Sequence, residues 1–248
     1  MRIFGFPVQI RPGFALFMLL IIVINGVPMG PWLAGSVAVF TLIHELGHAV
    51  AARQTGATAQ ISLDFLAGYA SFAPTRPLKR WERAGISMAG PFVQIALGCI
   101  VLLVLGVNPI DHDQFAADYW SFAIWWAGPA IGLFNLIPVL PLDGGTIVAE
   151  IIDFFTPGRG REIMVKLSPP LTAAGFIAMV MVDDLRPLAA FAAILLVLQL
   201  QTLSANAANN PDRRAALIER QRQLAAEAED TAWTTGRPGM LQSPQVMS

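Results

Sequence analysis

Long stretches without a charged side chain most constrain what this chain can fold into. No charged side chain occurs between Arg11 and Glu45, and Asn, Gly and Pro residues in "NGVPMGP" divide this stretch into runs of about 13–26 and 32–53. Four further uncharged runs follow, at 84–108, 119–142, 168–182 and 187–203. Because a helix needs about 20 apolar residues to cross a bilayer, the pattern predicts an all-α integral membrane protein with six transmembrane helices. The last two runs are short and fit a tilted or partly re-entrant hairpin as well.

Composition agrees with a lipid environment. Hydrophobic residues make up 55% of the 248 positions and charged residues only 13%, whereas soluble proteins carry about 25% charged residues. No basic patch with interleaved aromatic residues is present, so we expect no nucleic-acid partner. The first apolar run has no small-residue cleavage site after it, which predicts a retained helix rather than a signal peptide. Cys99 is the only cysteine, so no intramolecular disulfide can form.

The positive charges predict an orientation. With six spans, all but one of the 16 Lys and Arg residues fall on the side that holds both termini, and Arg186 is the exception. Loops rich in Lys and Arg stay cytoplasmic. We therefore expect both termini in the cytoplasm and the chain in a bacterial cytoplasmic (inner) membrane.

Two segments depart from the helical pattern. Residues 57–73, "ATAQISLDFLAGYASFA", contain β-branched and aromatic residues in partial alternation, which predicts a short β-hairpin between helices two and three. An ordinary connecting loop is the alternative. After residue 203 the sequence becomes polar, so we expect a membrane core over 1–203 and a cytoplasmic tail over 204–248 that is partly helical and then disordered.

The motif "LIHELGHAVA", residues 42–51, places three polar groups inside the second apolar run. His44 and His48 are four residues apart and share one helix face, and Glu45 is adjacent to the first of them. In an HExxH arrangement two neutral imidazoles hold zinc and the glutamate takes a proton from a water molecule. The alternative is a pair of histidines hydrogen-bonded between membrane helices.

A catalytic zinc site needs a third protein ligand, and "NLIPVLPLDGG", residues 135–145, offers Asp143. Pro138 and Pro141 break the helix, and the glycines that follow Asp143 allow a close approach of the chain. Spans two and four run in the same direction in the assigned topology, so both motifs lie toward the cytoplasmic end. The alternative for Asp143 is an ordinary helix cap.

Together, "HELGH" and "NLIPVLPLDGG" resemble the site-2 protease family of intramembrane zinc metalloproteases. The resemblance covers the core from span two to span four. Because this sequence has no insertion large enough for a PDZ domain and no tail long enough for a pair of CBS modules, we expect a minimal form of the family. The resemblance implies one zinc ion per chain, held by His44, His48 and Asp143, with Glu45 as general base. Asn135 would then lie near the scissile carbonyl, where its amide could stabilise the oxyanion; an interhelical hydrogen bond is the alternative. Gln94 departs from the family, many of whose members have asparagine there.

The function expected from this resemblance is cleavage of a transmembrane segment of a membrane-protein substrate within the lipid bilayer. A helical substrate must unwind, and the hairpin could receive it as an added strand. The main alternative is a divalent-metal transporter or channel that uses the same His and Asp residues. A protein that binds membrane substrates without cutting them is a third possibility, against which the intact Glu45 argues.

Overall fold

A computed structural model describes residues 1–64, 68–182 and 186–208, together with 219, 220 and 223. Two units are distinguished, Met1–Gln199 and Leu200–Ser248. Most of the second unit, including nearly all of the expected tail, lies outside the described residues.

Helices form most of the first unit. Two helices near the start of the chain are joined by a short turn, α1 (Pro12–Asn25) and α2 (Met29–Gln54). The others follow the hairpin: α3 (Arg80–Val104), α4 (His112–Phe115), α5 (Tyr119–Trp125), α6 (Ile131–Phe134), α7 (Asp143–Phe155), α8 (Gly160–Met181) and α9 (Arg186–Ala208). Helices occur in each of the apolar runs that the sequence indicated, although the run at 119–142 is divided into shorter pieces.

Three of the described helices are long and apolar enough to cross a membrane: α2, α3 and α8. Helix α1 has 14 residues, which at 1.5 Å per residue gives about 21 Å, less than the roughly 30 Å of hydrocarbon in a bilayer. The protein is thus a mostly helical integral membrane protein, and the count of six spans remains a prediction.

The fourth expected span is interrupted earlier than the break that Pro138 and Pro141 predict. After α5 the backbone widens into a π-helical stretch, Trp126–Ala130, which contains Pro129. Helix α6 follows and ends at Phe134, and an irregular loop then runs to Leu142. Proline lacks a backbone N–H and interrupts the regular helical ladder, so the three prolines of this region account for the broken path.

A small sheet makes the all-α expectation incomplete. The expected hairpin forms as β3 (Thr58–Leu63) and β4 (Gly68–Ala73), with residues 65–67 outside the described part. Two strands that the sequence reading missed precede α1, β1 (Arg2–Ile3) and β2 (Phe6–Ile10). The order is β1-β2-β3-β4, with β2 parallel to β3 and the other pairs antiparallel.

The sheet packs against the C-terminal part of α2. Phe6, Val8, Ile61 and Leu63 form a buried apolar cluster with Ala49 of α2 and with Phe14 of α1. Arg53, in the last turn of α2, donates a hydrogen bond to the Phe4 carbonyl and lies over the Phe6 ring. These contacts place the sheet beside the helix that carries the HExxH motif.

Candidate metal centre

Helix α2 presents both histidines of the motif on its buried face. His44, Glu45 and His48 are all buried, and the two imidazole rings meet edge to face with centroids 4.6 Å apart. This is the geometry that a four-residue spacing gives on a helix. The Nε2 atoms of His44 and His48 are 3.0 Å apart and face the same point.

Asp143 reaches that point from the first residue of α7. Its Oδ2 lies 3.1 Å from Nε2 of His44 and 3.3 Å from Nε2 of His48. The carboxylate contacts both rings, and the N-cap position of α7 is taken by Leu142 rather than by Asp143. The three groups form a cluster able to bind a metal ion.

The two glycines after Asp143 permit the tight path that delivers it. A Cβ on Gly144 would collide with the carbonyl of Leu136, and a Cβ on Gly145 would collide with the backbone of Val139. The Gly144 N–H donates to the carbonyl of Asn135 at 2.8 Å. The close approach expected of these glycines is therefore made to the loop that follows α6 in the same chain.

Hydrogen bonds on the far side of each ring determine its tautomer. His44 Nδ1 lies 2.7 Å from Oε1 of Gln94, and His48 Nδ1 lies 2.7 Å from the carbonyl of Ile86. A carbonyl oxygen only accepts, so each Nδ1 must carry the proton. Each neutral ring therefore presents a bare lone pair on Nε2.

Three acceptors thus converge without a donor between them. Two Nε2 lone pairs and a carboxylate oxygen within 3.0 to 3.3 Å repel one another unless a cation or a proton lies among them. Zinc bonds of about 2.0–2.2 Å at tetrahedral angles separate ligand atoms by about 3.3–3.6 Å. The donor set fits zinc with three protein ligands and one open position, and its spacings of 3.0 to 3.3 Å lie at or just below that range.

Gln94 proves to be part of this centre, although the sequence reading gave it no definite role. Its Nε2 donates to the carbonyl of Ala127 at 2.7 Å, which turns Oε1 toward His44. The side chain is 2% exposed. Ala127 lies in the π-helical stretch, so this stretch is connected through Gln94 to the candidate ligand His44.

Helix α3 lies close enough to α2 for Gln94 and the Ile86 carbonyl to reach the Nδ1 atoms of His44 and His48. A Cβ on Gly47 would lie 2.6 Å from the carbonyl of Ala89, and a Cβ on Gly90 would collide with the His48 ring. The close packing expected at Gly90 is therefore found, and the side chain that packs there is the candidate ligand His48. Because glycine removes the Cβ, the backbone of α3 can support the imidazoles directly.

Glu45 is buried next to the cluster. Oε2 of Glu45 has no hydrogen-bond partner in the described part of the chain. The carboxylate interacts electrostatically with His44, His48 and Asp143, and the backbone of Ala70 in β4 hydrogen-bonds to it. The carboxylate thus lies beside the two imidazoles of the candidate metal centre.

Asn135 follows the last residue of α6 and is half-buried. Its backbone carbonyl accepts from Gly144, which ties it to the residue after Asp143. Among the described residues its side-chain amide has no hydrogen-bond partner, so the interhelical hydrogen bond considered as an alternative is not observed.

Two ion pairs join α3 to α7. Arg83 contacts Glu150 through two hydrogen bonds of 2.6 Å, and Nε of Arg80 lies 3.1 Å from Oδ2 of Asp153. The N–H of Gly160, with that of Gly158 and the Arg80 guanidinium, holds the pKa of the Asp153 carboxyl below its usual range. Helix α3 thus contacts both elements that carry candidate ligands.

Comparisons with known proteins agree with this geometry. No family model matches the chain. The protein sll0528 of Synechocystis sp., named as a zinc metalloprotease, is 26% identical over 180 residues, covering 66% of this chain and 46% of its own. The zinc metalloprotease MJ0392 of Methanocaldococcus jannaschii is 29% identical over 154 residues, covering 61% and 44%. The chain thus spans just under half the length of these curated relatives.

Among solved structures, the site-2 protease from Methanocaldococcus jannaschii superposes with a TM-score of 0.54 at 25% identity. The match covers 81% of this chain and 88% of that one. The resemblance to site-2 proteases expected from the two motifs is confirmed by these relatives.

Proposed function

We propose that this chain is an intramembrane zinc metalloendopeptidase that hydrolyses a peptide bond in a transmembrane segment of another membrane protein. The observation that carries the proposal is the convergence of two unprotonated Nε2 atoms and one carboxylate oxygen beside the buried Glu45. The zinc metalloprotease names of the relatives support it.

In this proposal His44, His48 and Asp143 hold one zinc ion. When bound, zinc supplies a Lewis acid that polarises a peptide carbonyl and lowers the pKa of a water molecule at the open position. Glu45 accepts a proton from water through its unpartnered Oε2 and returns it to the leaving amine. Burial keeps the carboxylate from competing hydrogen bonds.

Asn135 is proposed to bind the scissile carbonyl. Its side-chain amide has no hydrogen-bond partner in the described ranges, and its backbone is tied through Gly144 to the segment that carries Asp143. An uncommitted amide held beside a metal ligand can donate to the developing oxyanion.

The substrate is proposed to enter as an extended segment along β4. This strand is at one of the two edges of the sheet, and the backbone of its Ala70 interacts with Glu45. An edge strand offers free backbone groups to a chain that has lost its helical hydrogen bonds. Replacing Ile61 and Leu63 of β3 with proline should disrupt the sheet and slow cleavage; unchanged cleavage would exclude this route.

We base the proposed membrane location and the orientation of the termini on the sequence. The three long apolar helices agree with an integral membrane protein. We propose the bacterial cytoplasmic membrane with both termini in the cytoplasm, because Lys and Arg concentrate on one side. Protease protection of tags at each terminus in membrane vesicles tests the orientation.

Metal content and cleavage test the function together. Detergent-purified parent protein, Asp143→Ala and Glu45→Gln are analysed for zinc, then reconstituted with single-span peptides that contain a central Gly-Pro pair. The parent should hold about one zinc, Asp143→Ala should hold it weakly, and Glu45→Gln should keep zinc but lose cleavage by at least about 100-fold. Zinc flux into parent liposomes without peptide cleavage would favour a divalent-metal transporter instead.

A further inference from the structure

The loop that precedes Asp143 depends on side chains from two other helices for its backbone hydrogen bonds. Pro138 and Pro141 have no N–H, and the path between them is not helical. At Leu140, which lies between them, the N–H donates to Oγ of Ser168 at 2.8 Å and the carbonyl accepts from Nε2 of Gln199 at 2.6 Å. Both backbone groups of one loop residue are thus held by α8 and α9.

Two side chains, Ser168 and Gln199, make these contacts, and Thr172 holds Gln199; we name the three residues the polar junction. They are 1%, 6% and 5% exposed. Gln199 Nε2 also donates to Oγ1 of Thr172 at 2.8 Å, and Oγ of Ser168 donates to the Met164 carbonyl at 2.6 Å. The junction therefore links α8, α9 and the loop.

The orientation of Gln199 shows which of its groups does the holding. Both hydrogens of its amide nitrogen are used, one on Leu140 and one on Thr172, while Oε1 has no partner in the described part of the protein. The opposite amide orientation would set Oε1 against the Leu140 carbonyl oxygen, and two acceptors repel each other.

Leu140 lies three residues before Asp143, and packing and a hydrogen bond connect the two positions. Gly145 packs directly against the Val139–Leu140 peptide, and the Leu142 N–H donates to the carbonyl of Val139 at 3.0 Å. A shift of the Leu140 peptide must therefore shift the turn that aims Asp143 at the histidines. A displacement of even about 1 Å at a catalytic group is costly.

We propose that Ser168, Thr172 and Gln199 are positioning residues that hold the Leu140 peptide so that the Asp143 carboxylate points at His44 and His48. The proposal rests on the proposed zinc function of those ligands. It connects α8 and α9 to the candidate metal centre, although neither supplies a candidate ligand in the described residues.

Zinc affinity, measured by competition with a chromophoric chelator, tests the proposal independently of activity. Gln199→Met keeps the length of the side chain but removes its donors, and Ser168→Ala removes the acceptor for the Leu140 N–H. Each should weaken zinc binding by about 10-fold, the lower end of the effect of outer contacts around metal ligands. Gln201→Met, an exposed position on the same helix, should keep the affinity of the parent.

Two further readouts separate positioning from a loss of stability. The double variant should lose less than the product of the single effects, because both act through Leu140. Cobalt-loaded variants should show an altered visible absorption spectrum, since the carboxylate shifts relative to the ion. In cleavage assays kcat should fall with little change in KM.

The outcomes distinguish this proposal from the function on which it rests. Ser168→Ala and Gln199→Met variants that bind zinc as tightly as a zinc-binding parent would overturn the polar junction alone. A parent protein that binds no zinc would overturn both proposals. If Gln199→Met does not fold, Ser168→Ala and Thr172→Val decide by the same measurements.

Discussion

Gln94 and His44 share a buried hydrogen bond of 2.7 Å in which the amide oxygen can only accept. The bond leaves the opposite nitrogen of His44 unprotonated and aimed at Asp143. Because the carbonyl of Ala127 holds the amide nitrogen, the amide cannot turn over without breaking both contacts. A residue on α3 thus sets the protonation pattern of a residue on α2.

Removing this acceptor should weaken metal binding. We expect Gln94→Met to lower zinc affinity by about 10- to 100-fold, as changes to the hydrogen-bond partners of metal-binding histidines typically do. Gln94→Glu keeps an oxygen for His44 but sets a second acceptor against the Ala127 carbonyl, so it should keep only part of the affinity. Chelator competition on purified protein measures both, and equal affinity in parent and Gln94→Met would contradict the assignment.

The close approach of α3 to His48 predicts a sharp difference between two glycines of the same helix. A Cβ on Gly90 collides with the His48 ring, so Gly90→Ala should destabilise the protein by about 1–3 kcal/mol and reduce zinc content. Gly85 has no atom near its would-be Cβ, so Gly85→Ala should be neutral or stabilising by up to about 1 kcal/mol. Thermal unfolding in detergent with zinc analysis compares them.

The Arg83–Glu150 pair should couple α3 to α7 more strongly than a surface pair does. Its two short hydrogen bonds join partly buried side chains. A double-mutant cycle with Arg83→Met and Glu150→Gln should give a coupling near 1 kcal/mol, toward the upper end for pairs with solvent access. The exposed pair Glu162–Lys166, one helical turn apart, should give about 0.3–0.5 kcal/mol at most and serves as the control.

Asp153 should make stability depend on acid pH. Its folded-state pKa is lowered, chiefly by the N–H of Gly160, so its contribution is fully present above the ordinary aspartate value of about 3.9 and is lost as the pH falls through the folded value. Asp153→Asn should therefore be less stable than the parent at pH 6, and the difference should shrink below about pH 4. Melting temperatures across this range test it; a constant difference would contradict it.

Local patterns predicted what depends on spacing along one helix or on proline and glycine. The four-residue separation of His44 and His48 was sufficient to place both rings on one face, and the prolines after Asn135 indicated the break that brings in Asp143. The β3–β4 hairpin could be recognised because its partners are neighbours in the chain. These predictions required no knowledge of distant contacts.

Contacts between distant segments could not be predicted in this way. Gln94 was noticed as a departure from the family, but whether its amide meets His44 depends on the rotation of α3 against α2. Strand β2 pairs with β3, about fifty residues later, so its own five residues carry little signal. The hydrogen bonds of Gln199 likewise depend on tertiary packing, and its polar character within an apolar run was the one available sign.

The parallel pairing of β2 with β3 restricts how the intervening chain can thread the bilayer. Val8 lies opposite Ile61 and Arg11 pairs with Asp64, so the chain that leaves after Ile10 has come back to the same face by Thr58. With the sheet on one side of the bilayer, the number of crossings in between is even. During synthesis β2 emerges first, so its pairing with β3 can form only after α1 and α2 have been made.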